Sequence, residues 1–300
     1  MSIIVLLSTY NGEKFLREQL DSLLSQSVHA DICVRDDGSR DGTRHILCEY
    51  AHRGLLSWYA GRNIGPGKSF FDLSLHAPDA DFYSFADQDD VWDRDKLETA
   101  VRALMPLRPR VPALYCSAVR PVDAKLNPIA VPSLPQTEPS FARALAEPLT
   151  QGCTFVFNAR AMKDFRRFKA SNIDIHDWAL YRIVTALGGR VIYDPTPHMS
   201  YRQHSGNAIG ALPSGTKKFL FRLARFLTGK SKNARSNFAR HIWESYCCKM
   251  SAENRELIDL ITNYKKSLHG RARLAFSGEI TRSSRADAII FAILALIGWI

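Results

Sequence analysis

The chain has 300 residues and 46% hydrophobic content, which suits one large α/β domain with an appendage or two small domains. Its six cysteines include no CxxC pair and no regular spacing, which argues against a disulfide framework and a structural zinc site. The formal charge is +10. The first apolar run, Ile3 to Leu7, lacks the flanks of a signal peptide. From this run and the cysteine pattern we expect a globular protein of the reducing cytoplasm.

The first hundred residues alternate short apolar runs with helical patterns. The predicted strands are Ile3 to Leu7, Ile32 to Arg35, Leu55 to Tyr59 and Phe82 to Ala86. The predicted helices that follow them are Glu13 to Ser25, Gly42 to His52, Lys68 to His76 and Asp93 to Leu104. This alternation predicts βαβ units and therefore an α/β fold with a mostly parallel sheet flanked by helices.

The later chain is less regular. The proline-rich stretch from Pro106 to Pro148 contains one predicted strand, Ala113 to Val119, and one predicted helix, Ser140 to Ala146. Gln151 to Asn158 follows as a strand, and a helix carrying His176-Asp177-Trp178 comes after it. Tyr193 to His204 is extended, and everything after Ser214 has a helical pattern. We therefore predict an α/β domain over residues 1–212 and a helical extension over residues 213–300.

Each of the first four predicted strands is followed by a polar cluster. Because the carboxyl ends of parallel strands meet at one edge of a sheet, and ligands bind in the crevice beyond that edge, the four clusters are expected to form one site. They are Ser8 to Gly12, Asp36 to Ser39, Arg62 to Gly67 and Asp87 to Asp90.

The stretch FYSFADQDDVW runs an apolar strand directly into three carboxylates. Like charges repel and resist desolvation, so a positive group is expected beside them. Asp87 and Asp89 can point towards one divalent cation, and hard oxygen ligands suit Mg²⁺ or Mn²⁺, which bridge diphosphates. An acidic triplet in a loop is more often solvated turn chemistry, but here the preceding strand and the following Trp92 favour a metal.

The stretch Asp36-Asp37-Gly38-Ser39-Arg40-Asp41-Gly42-Thr43 is typical of a turn followed by a helix cap. Asp, Gly and Ser favour tight turns, and Asp41 is a candidate cap for the next helix. That local role leaves Asp36 and Asp37 able to accept hydrogen bonds from a base or a ribose.

Taken together, the motifs resemble the family 2 glycosyltransferases with the GT-A fold. The motifs are LLSTYNGEKFLREQLDSLLSQ, VRDDGSRDGT, RNIG, ADQDDVW with the following Lys96-Leu97, HDW and YRQHSGN. The resemblance covers about residues 2 to 207 and looks closest to bacterial rhamnosyltransferase-like members that build surface polysaccharides. It implies a Rossmann-like GT-A domain that binds a nucleotide sugar over residues 1–212.

The resemblance also implies the residues that bind the donor. Thr9, Tyr10 and Asn11 would line the nucleotide pocket, and Asp37, with Asp36 beside it, would contact the base or ribose. Arg62, Asn63 and Lys68 would lie near the ribose and diphosphate. Asp87 and Asp89 match the first and last positions of the family's DxD motif, with Asp89 as the direct metal ligand. Gln88 stands between them where members vary, and it is uninformative.

Three further residues receive roles from the same resemblance. Asp177 occupies the position of the base that removes the acceptor proton in an inverting transfer, although an Asp there could equally cap the helix that begins at Trp178. His204 would ligate the metal or touch the diphosphate, although a single His in a loop is more often structural. Arg202 would neutralise charge on the leaving group.

The C-terminal third carries the basic excess. Its basic residues, without an acid between them, are Lys217, Lys218, Arg222, Arg225, Lys230, Lys232, Arg235 and Arg240. Apolar side chains interleave with them, and an apolar run of thirteen residues, Ala288 to Ile300, ends the chain, too short to span a bilayer. These features predict contact with an anionic membrane surface; the alternative is a helix that packs on the body with a solvated basic face.

The resulting hypothesis is a metal-dependent, inverting glycosyltransferase at the cytoplasmic face of a bacterial membrane. Its donor would be a dTDP- or UDP-sugar, with L-rhamnose from dTDP-rhamnose as the specific candidate. Its acceptor would be a glycan or a polyprenyl-diphosphate-linked chain. The alternatives are a membrane scaffold that binds nucleotide sugars without turnover, a nucleotidyltransferase, and a nucleic-acid-binding protein, which charge alone suggests and which gives the acidic clusters no role.

Overall fold

The computed structural model describes residues 1–107, 111–130, 138–168, 175–204, 233–280, 282 and 284–300. The chain divides into two compact units. The first consists of Met1–Val131 and Pro148–Arg202, and the second of Pro132–Glu147 and Gln203–Ile300. The domain boundary predicted between residues 212 and 213 lies outside the described residues and stays a prediction.

The first unit contains ten strands among the described residues. They are β1 (Ile3–Thr9), β2 (Asp31–Asp36), β3 (Ser57–Ala60), β4 (Phe82–Ala86), β5 (Val91–Trp92), β6 (Ala113–Ser117), β7 (Arg120–Val122), β8 (Val156–Asn158), β9 (Arg190–Asp194) and β10 (Met199–Arg202). Its helices are α1 (Leu16–Leu24), α2 (Thr43–His52), α3 (Pro66–His76), α4 (Lys96–Leu104), α6 (Ala159–Phe165) and α7 (His176–Ala186). The predicted strand Gln151 to Asn158 is instead a short 3₁₀ turn, Gly152–Thr154, followed by β8.

Seven of these strands form one sheet in the order β3-β2-β1-β4-β8-β6-β9. β1 runs parallel to β2 and β4, β2 runs parallel to β3, and only β8 runs antiparallel to its neighbours. A smaller sheet has the order β5-β10-β7. The prediction of a mostly parallel α/β sheet flanked by helices is confirmed.

The central position of β1 follows from its sequence. In IIVLLST every residue from Ile3 to Leu7 is buried, as a strand covered by helices on both faces of a parallel sheet requires. The helices on the sheet are amphipathic: α1 buries Leu16, Leu20 and Leu23, and α4 buries Leu97, Val101 and Leu104. Burial of apolar side chains on both faces therefore favours an interior position for β1 in the sheet.

The order of the first four strands decides where the site lies. β3, β2, β1 and β4 are consecutive and parallel, so their carboxyl ends share one edge of the sheet. The loops after them are joined by backbone bonds: Asp37 N donates to Thr9 O at 2.8 Å, and Gly61 N donates to Asp36 O at 2.8 Å. The four polar clusters therefore lie along one edge, as the pattern predicted.

The second unit is helical among its described residues. Its helices are α5 (Phe141–Ala146), α8 (Ala234–Tyr246), α9 (Ala252–Asn263), α10 (Leu268–Phe276) and α11 (Arg285–Ile297). α8 packs on α9, and α10 packs on α11. Ser251 and Ser267 cap α9 and α10, because each hydroxyl accepts a hydrogen bond from a backbone N–H three residues later. Most of the basic stretch Lys217 to Arg240 lies outside the described residues.

The terminal apolar run has two different faces. On α11, Phe291, Leu294 and Ala295 are buried within the unit. The opposite stripe consists of exposed large apolar side chains, namely Ile289, Ile293, Leu296 and Ile297. None of the helices in the described part of the chain has the length and hydrophobicity needed to span a bilayer.

Replacing Leu6 by Ala tests the role of β1 in the core. Leu6 is fully buried at the centre of the sheet, so we expect the free energy of unfolding to fall by about 3 kcal/mol, measured by urea denaturation. The matched control is Leu75→Ala, because Leu75 is 46% exposed and its truncation opens no cavity. Equal losses in the two variants would contradict the assignment of β1 to the core.

Candidate active site

Asp36 lies beneath the loop that follows β2. Its side chain is fully buried and accepts hydrogen bonds from Ser39 N at 3.1 Å and from Arg44 Nε at 2.7 Å. Thr9 Oγ1 donates to the same carboxylate at 3.4 Å. The hydrogen bonds of Asp36 therefore hold this loop in place. Its predicted contact with a base or ribose, and the predicted place of Thr9 in the nucleotide pocket, stay predictions.

Asp37 joins this loop to the loop after β3. Its carboxylate accepts from Ile64 N at 3.0 Å and from Gly65 N at 2.9 Å. Arg35 Nη1 donates to it at 2.5 Å. Asp37 thereby fixes the RNIG segment at the sheet edge, close to where the sequence predicts a nucleotide.

Arg35 is a buried residue to which the sequence analysis gave no role. Besides Asp37, it donates to Asp72 Oδ2 at 2.9 Å and to Ser69 Oγ at 2.9 Å. The chain passes so near that a Cβ at Gly61 would lie 2.4 Å from Arg35 Nη2. The signal was available in the sequence, since a charge inside the apolar run ICVRD must have partners when it is buried.

Gln88 connects the loops after β1 and β4. Its side-chain Oε1 accepts from Tyr10 N at 2.8 Å, and its Nε2 donates to Tyr10 O at 3.1 Å. A Cβ at Gly12 would lie 2.3 Å from Gln88 Oε1, so a larger residue there would displace the Gln88 amide from Tyr10. Gln88, which was uninformative in the motif, therefore holds the backbone of Tyr10. The Tyr10 side chain is exposed at the edge of the sheet.

The other predicted donor-binding residues lie along the same edge. Asn11 adopts a positive φ of 49° and accepts from Arg40 N at 2.9 Å. Arg62 and Asn63 are exposed in the loop after β3, and Lys68 is exposed in the first turn of α3. Their side chains face solvent, so their predicted contacts with a donor stay predictions.

The acidic loop after β4 is largely removed from solvent. Asp90 is fully buried and Asp89 is 8% exposed, whereas Asp87 is half-buried. Burial, followed by the charges of Asp89 and Asp177, raises the pKa of Asp87 to about 7. Burial and the charges of Asp87 and Asp89 also raise the pKa of Asp90 well above its usual value. The crowding of negative charge that the sequence suggested is therefore present in the structure.

Arg202 lies against this loop. Its backbone N donates to Asp90 Oδ1 at 3.1 Å, and its Nε donates to Asp89 O at 2.7 Å. Its guanidinium also pairs with Glu18 and donates to Ala124 O at 2.7 Å. Arg202 thus binds the acidic loop itself, and its predicted contact with a leaving diphosphate stays a prediction.

Lys96 is a second buried cation near the loop. Its Nζ lies 3.3 Å from the centroid of the Trp92 ring and 3.5 Å from Ser84 Oγ. Burial lowers the pKa of Lys96 to about 7, although the charges of Cys153 and Asp90 oppose that change. The expected positive partner of the carboxylates is therefore supplied in part by the chain.

Asp177 lies in the first turn of α7, beside the acidic loop. It accepts from Trp178 N at 2.6 Å, and burial raises its pKa to about 6. A Cβ at Gly152 would lie 2.6 Å from the Asp177 Cβ, so the 3₁₀ turn before β8 needs glycine to admit this carboxylate. The structure thus brings the predicted base close enough to Asp87 for its charge to raise the pKa of Asp87.

The neighbouring His176 anchors the start of α7. Its ring stacks on Phe70 at 3.9 Å between centroids and meets the Phe85 ring edge-on at 4.7 Å. Burial lowers its pKa to about 3, so it is neutral at physiological pH. His176 therefore packs as an aromatic residue of the core and fixes the position of Asp177.

The donor groups that converge are Asp87, Asp90 and Cys153, whose ligand atoms lie within 4.8 Å of one another. Within the described residues, Asp90 Oδ2 is buried and has no hydrogen-bond partner. An unpartnered carboxylate oxygen among other donors fits a cation. Asp90 and Cys153 were not predicted as ligands. His204 belongs to the second unit and its predicted role stays a prediction, while Ser205 to Asn207 of its motif lie outside the described residues.

The sequence matches the family model described as "Glycosyl transferase family 2" over residues 4–166, which is more than half of the chain. The dTDP-rhamnosyl transferase RfbG of Shigella flexneri is 31% identical over 230 residues, which are 71% of this chain and 76% of that protein. The poly(ribitol-phosphate) beta-N-acetylglucosaminyltransferase TarS of Staphylococcus aureus is 32% identical over 105 residues, which are 33% of this chain and 18% of that protein.

Two solved structures share the architecture. S. aureus TarS 1–349 in complex with UDP superposes with a TM-score of 0.58 at 17% identity, covering 91% of this chain and 71% of that chain. The mannosyltransferase PcManGT from Pyrobaculum calidifontis, in complex with GDP-Man and Mn²⁺, has a TM-score of 0.56 at 20% identity, covering 98% and 74%. At these identities the likeness shows the fold, which is GT-A.

The raised pKa of Asp177 predicts a pH-dependent stability. A carboxyl whose pKa rises from 3.8 to about 6 on folding destabilises the folded state as pH increases from about 4 through 6, because the folded protein then resists losing a proton that the unfolded chain gives up. Asp177→Asn should therefore stabilise the protein more at pH 7.5 than at pH 4.5, by about 2 kcal/mol. Urea denaturation at both pH values measures this.

The control for that measurement is Asp79→Asn, because Asp79 is 95% exposed at its side chain. We expect its effect on the free energy of unfolding to differ little between the two pH values. A change from Asp177→Asn that is equal at both pH values would refute the buried, proton-retaining state of this carboxyl.

Proposed function

Because the chain belongs to glycosyl transferase family 2, we propose that it is an inverting, metal-dependent transferase that moves L-rhamnose from dTDP-rhamnose to a glycan or polyprenyl-diphosphate-linked acceptor. The rhamnosyl donor is suggested by the 31% identity to the dTDP-rhamnosyl transferase of Shigella flexneri. The observation that carries the proposal is the approach of Asp177 to the acidic loop at the carboxyl edge of the sheet. A base and a diphosphate-binding group must be neighbours in a displacement at one carbon atom.

The donor would lie across the loops after β1, β2 and β3. The exposed Tyr10 ring offers an aromatic face to the base, and its backbone position is set by Gln88. Arg62 and Lys68, both exposed beside the loop that Asp37 holds, would supply positive charge to the diphosphate. The buried Asp36 and Arg35 keep these loops in place.

The residues at the acidic loop suit a divalent cation. Asp87 and Asp89, with Mg²⁺ or Mn²⁺, would bind the donor diphosphate, and the cation supplies neutralisation of charge on the leaving group. Arg202 contributes by position, since its Nε holds the carbonyl of Asp89 and its backbone N holds Asp90. We assign it as a positioning residue in addition to its predicted contact with the leaving group.

Asp177 would act as the general base. Its carboxylate takes the proton from the acceptor hydroxyl, while the hydroxyl oxygen attacks the anomeric carbon from the face opposite the diphosphate and so inverts the configuration there. With a pKa of about 6 the group is ionised near neutral pH and is still basic enough to accept a proton, as an efficient general base requires. Gly152 lies against Asp177, and the packing of His176 on Phe70 fixes the start of the helix that carries it.

Removing the base tests this assignment. Asp177→Asn should lower kcat at least about 100-fold, with little effect on donor binding, and the wild-type kcat/KM should rise with pH through about 6 as Asp177 loses its proton. Release of dTDP from dTDP-rhamnose in the presence of an acceptor measures the rate, with UDP-, GDP- and CMP-sugars as competing donors.

Asp89→Ala should instead weaken the metal-dependent thermal stabilisation by dTDP.

Arg94→Gln is the control, since Arg94 lies next to the acidic loop in sequence, is exposed and has no role in the mechanism. Full activity of Asp177→Asn would contradict the mechanism. Release of pyrophosphate in place of a nucleoside diphosphate would identify a nucleotidyltransferase. Metal-dependent nucleotide binding without turnover on any acceptor would identify a scaffold.

We also propose that the enzyme works at the cytoplasmic face of the membrane, where a lipid-linked acceptor would be found. The support is the stripe Ile289, Ile293, Leu296 and Ile297, which α11 exposes to solvent. Arg271 Nη1 donates to Leu296 O at 3.3 Å, so a cationic group flanks the end of this stripe. An apolar stripe with a cation beside it suits an interface of anionic lipid.

Introducing charge into the stripe tests the membrane contact. Ile293→Asp should reduce co-sedimentation with vesicles containing anionic phospholipid several-fold, because burying one carboxylate at the interface opposes apolar insertion. The control is Leu75→Asp, which adds the same charge at an exposed apolar position of the first unit. Equal binding of both variants would show that α11 is not the membrane contact.

A further inference from the structure

We propose that Cys153, Asp87 and Asp90 form a binding site for a thiophilic divalent cation, of which Zn²⁺ and Cd²⁺ are the representatives. The site differs in composition from the all-oxygen pair Asp87 and Asp89, because it contains a sulfur ligand. It shares Asp87 with that pair, so an ion bound there would inhibit transfer. Only this last consequence rests on the proposed function.

The first observation is the convergence of three donor atoms from separate parts of the chain. Asp87 and Asp90 follow β4, whereas Cys153 lies in the 3₁₀ turn before β8, and one ligand atom from each lies within 4.8 Å of the others. Zinc binds sulfur at about 2.3 Å and carboxylate oxygen at about 2.0–2.2 Å, so two ligands of one ion lie roughly 3 to 4 Å apart. Side-chain adjustments of about 1 Å would bring the set into that range.

The second observation is independent of the convergence. Asp90 is fully buried, and its Oδ1 accepts from Arg202 N at 3.1 Å. Its Oδ2 makes no hydrogen bond among the described residues, and the group that approaches this carboxyl is the Cys153 thiol, itself a member of the set. A buried carboxylate oxygen without a partner is costly, and a cation held between Asp90 and Cys153 would remove that cost.

The chemistry of Cys153 agrees with such an ion. The thiol is 1% exposed, and burial, together with the charges of Asp90 and Asp87, raises its pKa well above the usual value. Binding of a thiophilic dication replaces the S–H bond by a metal–sulfur bond, and the proton leaves to solvent.

The ligand set also predicts selectivity. Mg²⁺ prefers oxygen ligands and binds thiolate poorly, whereas Zn²⁺ and Cd²⁺ favour sites that include sulfur. The buried Lys96 opposes any cation here, but its Nζ lies over the Trp92 ring, 3.3 Å from the centroid, and its pKa is lowered to about 7 by burial. The site should therefore discriminate by the softness of the ion as well as by its charge.

Cadmium titration of the full-length protein tests the site through the ultraviolet charge-transfer band of a cadmium–thiolate bond. The parent protein should carry Cys247→Ser and Cys248→Ser, because those two sulfurs lie 3.7 Å apart and could bind Cd²⁺ themselves. We expect one Cd²⁺ per chain with a thiolate band in this parent. The band should be lost in Cys153→Ser and kept in Cys116→Ser, which changes another buried cysteine.

A second pair of variants leaves every core cysteine in place. Asp87→Asn should weaken Cd²⁺ binding, whereas Asp89→Asn, which removes a neighbouring charge but no ligand of the set, should weaken it less and keep the band at saturating Cd²⁺. Circular dichroism confirms that each variant is folded. A band that persists in Cys153→Ser, or its absence from the folded parent, would overturn the proposal. Failure of sugar transfer with Mg²⁺ or Mn²⁺, with the cadmium band present, would count against the proposed function alone.

Discussion

The acidic loop after β4 is the constraint on which the site depends. Three carboxylates within four residues cannot be withdrawn from water unless donors and cations meet them. Arg202 donates two hydrogen bonds to this loop, from its backbone N to the Asp90 carboxylate and from its Nε to the carbonyl of Asp89. Asp90 and Arg202 are 112 positions apart in the sequence, so this contact joins β10 to the loop after β4.

Buried charges are also paired at the other side of the edge, where a buried Arg contacts two carboxylates. Arg35 pairs with Asp37 and Asp72, and Asp37 in turn holds the amides of the loop after β3. Charge-assisted bonds of this kind are short and directional. These loops are consequently held by buried ions, which is the preorganisation that a binding site requires.

The sequence predicted the sheet and the shared edge well, because β1, β2 and β4 carry strong local signals: continuous apolar runs, then polar turn residues. It did not predict the partners. Gln88 and Tyr10 are 78 residues apart, and Gly152 accommodates Asp177 only because two distant turns approach each other. Such contacts depend on the three-dimensional arrangement of loops, and a linear pattern contains no measure of that distance. Arg35 also received no role from the sequence, although a charge within a buried strand requires a partner.

The carboxylates of the site also influence one another, and this coupling connects binding with base strength. Asp177 raises the pKa of Asp87, and burial raises the pKa of Asp177. A dication next to Asp87 would favour the ionised form of both groups. In the proposed transferase, a cation bound with the donor would therefore extend the ionised state of Asp177 to lower pH. Below about pH 6, where Asp177 otherwise holds its proton, the base would then be ionised mainly when the sugar to be attacked is already in place.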